Sequence, residues 1–131
     1  MKARRQLAAV VVFAAPILAS CGGQAADKLY SREGSFDVTS MTQLDAAVLS
    51  ISRAAGAPVR DSGKDLDGNP QYLLSNKDVV IFVRHHFGDD CVLPKGCRWE
   101  YSVSATDTEL HENEQERLVN AAFAMITSAN P

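Results

Sequence analysis

The chain has 131 residues and a formal net charge of −3, with 46% hydrophobic and 22% charged residues. That length accommodates one domain rather than two, and the composition argues against wholesale disorder. No Lys/Arg cluster follows the first few residues, which argues against nucleic acid or anionic lipid headgroups as the main partner.

Met1–Ser20 has the form of a signal peptide. Lys2, Arg4 and Arg5 make a positive start, and Leu7–Ala15 (LAAVVVFAA) supplies an apolar stretch too short to span a bilayer permanently. Ala19 and Ser20 then precede Cys21. The order Leu18-Ala19-Ser20-Cys21 resembles the lipobox of bacterial lipoproteins at each of its positions. The resemblance is confined to the leader and names no family for the domain that follows. It implies cleavage after Ser20, a diacylglycerol and an acyl chain such as palmitate on Cys21, and the membrane as a partner. Several acyl chains anchor stably where one is marginal. By analogy with lipoprotein sorting, Gly22 rather than Asp implies the outer membrane, with the domain facing the periplasm. The plainer alternative is an ordinary signal peptide followed by a chance cysteine. Loss of the three leader cations leaves 10 basic against 16 acidic side chains, a net charge of −6.

Cys91 and Cys97 then remain as an even pair. In an oxidising compartment such a pair is expected to form a disulfide. Pro94 and Gly96 in CVLPKGC turn the chain back, and closing the loop stabilises by about 2–2.5 kcal/mol on the loop-entropy model. The rival reading, a metal or redox thiol pair, lacks the usual Cys-x-x-Cys spacing.

From Gly22 to Val38 no periodicity is sustained, so residues 21–38 are expected to be a lipidated N-terminus and tether. Leu29, Tyr30 and Phe36 could dock its later part. The domain proper is expected over 39–131. Met41, Leu44, Val48, Ile51 and Ala55 share one helical stripe. Ser40 with Gln43 has capping-box spacing, and Gly56 with Pro58 ends the helix. Arg60–Pro70 (RDSGKDLDGNP) is rich in turn formers and reads as a loop. As a calcium loop it fails. With Gly68 as the turn glycine, Asp65 and Asp67 fall on ligand positions, but Gly63 and Leu74 occupy two others.

Three strands are expected next: Gln71–Ser75, Val79–Phe87 after an Asn-Lys-Asp turn, and Arg98–Ala105. In the last, Trp99, Tyr101, Val103 and Ala105 alternate with Arg98, Glu100, Ser102 and Ser104, as in an antiparallel sheet wet on one side. A second helix is expected over Thr108–Ser128, capped by Thr106 with Glu109. The expected fold is α+β, a two-layer α-β-β-β-α sandwich. Its three-stranded antiparallel sheet has both helices on one face.

Arg84–Cys91 (RHHFGDDC) is the best catalytic or metal candidate, through His85, His86, Asp89 and Asp90. Strand alternation sends His85 and His86 to opposite faces, so they cannot chelate one ion together. His85 is expected at the core's rim, and no cofactor or catalytic residue is assigned. Val80, Phe82, Arg84 and His86 share the opposite face, with Arg98 and Glu100 beside them. This mixed apolar and basic patch is expected to dock another protein. The plainer reading is a solvated sheet face, or one partly covered by the tether. The functional expectation is a lipid-anchored, non-catalytic protein-binding module of the envelope. A narrower version neutralises a toxin or hydrolase, and a metal-binding or hydrolytic protein is the opposing class.

Overall fold

The computed structural model describes residues 29–86 and 96–131. The leader, Cys21, Asp89, Asp90 and Cys91 lie outside the described residues. Seven elements follow in order: β1 (Ser31–Val38), α1 (Met41–Ala55), β2 (Val59–Lys64), β3 (Pro70–Ser75), β4 (Val79–His85), β5 (Cys97–Ala105) and α2 (Glu112–Ala129). The strands form one antiparallel sheet in the order β1-β5-β4-β3-β2.

The expected sheet of three strands is therefore wrong: the described residues form five. The two additional strands are the edges, and each lacks the apolar alternation that reveals a half-buried strand. β1 (SREGSFDV) buries only Phe36 and Val38, so the expected tether through Val38 ends inside the sheet. β2 (VRDSGK), within the expected loop, has every residue exposed. It is held by backbone pairing with β3, not by burial. Its hairpin closes at Asp65–Asn69. There the Asp65 carboxylate accepts from the N–H groups of Asp67 and Asn69, both at 2.9 Å, and Gly68 takes φ 83°.

α1 begins and ends as its stripe and caps predict. The Ser40 hydroxyl accepts from Gln43 N–H at 3.1 Å, and Gly56 closes the helix at φ 64°. The Asn76 side chain shapes the β3–β4 turn by accepting from Asp78 and Val79 N–H. Its amide nitrogen also donates to Ala55 C=O at 3.1 Å, tying the turn to the end of α1. α2 starts four residues later than expected. His111, not Thr106, is its cap, with Nδ1 accepting from Asn113 N–H. The Asp107 carboxylate instead engages Glu109 N–H in a preceding turn.

Both helices lie on one side of the sheet. Leu44, Val48 and Ile51 of α1 and Val119 and Ile126 of α2 meet the inward residues of the strands in a single apolar cluster. Gln115 is the polar exception, buried at 1% exposure. Its Nε2 donates to Leu110 and Thr108 C=O, and its Oε1 accepts from Tyr30 N–H at 3.2 Å. Every polar atom of that amide thus has a partner, as burial requires. Tyr30 OH and Arg32 both donate to Asn120 Oδ1, and the Arg32 guanidinium lies 4.2 Å over the Phe123 ring. These contacts fasten the start of β1 to α2. At Gly34 the Tyr101 ring crosses the strand, where a Cβ would come within 2.4 Å of it. Glycine is what allows that close approach.

Candidate functional site

Alternation along the strands leaves one face of the sheet without a covering element among the described residues. Val80, Phe82 and Arg84 project there from β4, while Ile81 and Val83 project into the core. β5 adds Arg98, Glu100, Ser102 and Ser104. Register places Phe82 between Leu73 of β3 and Ser102 of β5. The small serine leaves the ring uncovered on one side. Phe82 is 40% exposed and Leu73 37% exposed, side by side. Val80 lies two residues away, flanked by Ser75 and Ser104.

The charged side chains of this face compensate one another. Glu100 sits between the His86 ring and the Arg84 guanidinium, with His86 Nδ1 at 2.5 Å from Oε2 and Arg84 Nη2 at 3.7 Å from Oε1. Arg98 Nε lies 3.7 Å from the Asp37 carboxylate on β1. The expected basic patch is accordingly corrected to a charge-balanced one around an apolar centre. Such exposed pairs contribute little to stability, typically about 0.2–1 kcal/mol each. The Arg84–Glu100 pair lies next along the strands from Phe82 and Ser102, and the Arg98–Asp37 pair lies further on, between β5 and β1. His86 N–H donates to Arg98 C=O at 2.8 Å, so pairing continues one residue past β4.

The other expected site residues separate. His85 is on the core side, 92% buried by its neighbours (8% exposed) and edge-on to Trp99 with centroids 4.8 Å apart. His111 caps α2 near Tyr30, at the end of the sheet where Ser31 meets Ser104. His86 lies at the opposite end, beside Arg98. Among the described residues no three His, Cys, Asp or Glu side chains converge as a metal site would require. Cys97 is fully buried at the start of β5, opposite Val38.

Two contributors were missed by reading the sequence. Leu73 was legible in principle, because adjacent Leu73 and Leu74 in a strand must point to opposite faces. Asp37 was not, since nothing local marks β1 as a neighbour of β5. Beyond Leu73, the face runs into a shallow hollow bordered by β2 and by Gln71 and Tyr72. Burial pushes the Tyr72 hydroxyl above its ordinary pKa, and hydrogen bonding to the Asp45 carboxylate adds to that. No helix among the described residues is long and apolar enough to cross a membrane. No protein-family model matches the chain, and no curated protein resembles it in sequence.

Proposed function

We propose that this chain is a membrane-anchored envelope lipoprotein whose α+β domain binds another protein across its open sheet face, without catalysis. The observation that carries the binding reading is the exposed Phe82–Leu73 pair, bordered by oriented charges and left uncovered by both helices. Burial of an aromatic and an aliphatic anchor within a polar rim is how compact interfaces gain most of their affinity. The lipobox-like Leu18-Ala19-Ser20-Cys21 supports the address, and a Cys91–Cys97 disulfide belongs to the same reading.

Two measurements test it. Wild type is expected in the detergent-rich phase on phase partitioning, and Cys21→Ser in the aqueous phase; equal partitioning would remove the anchor. Phe82→Glu is expected to lower partner capture from envelope extracts at least tenfold, a loss of about 1.4 kcal/mol. Because Phe82 is already 40% exposed, its folding stability should change by less than about 1 kcal/mol. Capture unaffected by Phe82→Glu would remove the binding reading.

A further inference from the structure

β2 ends the sheet: it pairs with β3 on one side, and no described strand lies on the other. All six of its residues are exposed, so its outer N–H and C=O groups form a template for another strand. The register breaks between Val59 and Asp61, and Arg60 Nε donates to Ser75 C=O at 3.3 Å beside that break. The regular stretch is therefore Asp61–Lys64. In its middle stands Gly63, where an added Cβ would meet nothing within 4 Å. Glycine inside a strand often marks a place where another chain approaches closely.

Gly63 also opens the strand edge onto the site face. It pairs with Gln71, and Asp61 pairs with Leu73, which pairs in turn with Phe82. These residues border one hollow of ≈ 210 Å³. A side chain entering over Gly63 from outside the sheet would meet Gln71 directly opposite and Leu73 diagonally, in the hollow that Phe82 also borders.

A second copy is poorly suited to this edge. A two-fold continuation of an antiparallel sheet sets one residue opposite its own equivalent. Centred on Asp61, it opposes two aspartates; centred on Ser62, it opposes Arg60 with Lys64; centred on Gly63, it opposes Asp61 with Asp65. Every central register places like charges across the pair, which is destabilising in a sheet. An unlike segment avoids this by placing an acid opposite Lys64 and a base opposite Asp61.

We propose that the outer edge of β2 takes up an extended segment of another protein as a sixth antiparallel strand, with a large aromatic or apolar side chain of that segment seated over Gly63 in the hollow bordered by Gln71, Leu73 and Phe82. Main-chain pairing supplies the attachment and the seated side chain supplies selectivity, as in other strand-addition complexes. An aromatic ring opposite a strand glycine covers backbone that would otherwise stay wet. The proposal rests on the protein-binding reading and names its mode.

The test uses the chain from Gly22 to Pro131, isotope-labelled, and a blocked peptide of sequence Thr-Glu-Tyr-Thr-Lys-Val. Its tyrosine falls opposite Gly63, its glutamate opposite Lys64 and its lysine opposite Asp61. Amide shifts are expected to saturate with peptide and to concentrate in β2, Leu73 and Phe82. Alanine in place of the peptide's tyrosine should weaken binding at least about tenfold. Gly63→Val has room for its side chain and suits a strand, so it should fold normally yet lose the response. Absence of saturable shifts, shifts centred elsewhere, or an undiminished response in Gly63→Val would overturn strand addition. So would a concentration-dependent dimer protecting β2, which would assign the edge to a second copy. Retained partner capture that still depends on Phe82, with no response at β2, would overturn this mode alone; loss of both would overturn the binding reading beneath it.

Discussion

A chain that begins at Thr39 is expected to lose cooperative unfolding, whereas one that begins at Leu29 keeps it. All eight residues of β1 pair with β5, from Ser31 opposite Ser104 to Val38 opposite Cys97. Without them β5 becomes an edge, and the buried Phe36 and Val38 are lost from the core. Removing a buried phenylalanine costs about 3–5 kcal/mol, and a buried valine adds about 1.5–3. The clasp of Tyr30 and Arg32 on Asn120 and Phe123 goes with them. A domain stable by about 5–15 kcal/mol does not readily survive that sum. Urea unfolding followed by tryptophan fluorescence checks it. Identical transitions for the two truncations would mean that residues 31–38 are a tether after all.

Trp99→Ala is expected to be the most destabilising single substitution, by about 3–5 kcal/mol. The indole is 1% exposed, lies edge-on to His85, and reaches from β5 past β4 to donate to Pro70 C=O at 3.1 Å. One side chain thus links three strands. Trp99→Phe retains most of the apolar volume but leaves that carbonyl without its donor, a cost of about 1–3 kcal/mol. The expected order is wild type, then Phe, then Ala. Trp99 is the only tryptophan, so circular dichroism must read these transitions. A loss below about 1 kcal/mol for Trp99→Ala would contradict the packing of β5 against β4 and β3.

The two substitutions mark where sequence patterning succeeds and where it fails. β5 was legible because each alternate residue from Trp99 to Ala105 is buried, which is what a half-covered strand imposes on composition. α1 was legible for the parallel reason, a 3.6-residue stripe bounded by Ser40 and Gly56. β1 and β2 carry no such imprint, because edge strands bury little and are specified by backbone pairing and by distant partners. Gly34 shows the difficulty: within SREGSFDV it suggests a flexible linker, yet its purpose is set by Tyr101, sixty-seven positions later. The start of α2 is displaced because Asp107 caps a preceding turn and His111 caps the helix, while Gln115 is held by Leu110 C=O and by Tyr30 N–H of a distant segment. For the site, Val80, Phe82, Arg84 and His86 followed from a period of two along β4. The charge balance did not, since Asp37 reaches Arg98 only through the unrecognised edge strand.

Site-specific photo-crosslinking in cells of the source organism tests the central claim most directly, with the reactive group at Phe82, at Leu73, or at Leu49 on the outer surface of α1. All three positions are exposed, Leu49 the most at 49%, so accessibility alone favours α1. Binding across the open sheet face predicts one discrete protein adduct from Phe82 and Leu73 and none from Leu49. Adducts from Leu49 alone, or equally from all three, would contradict it.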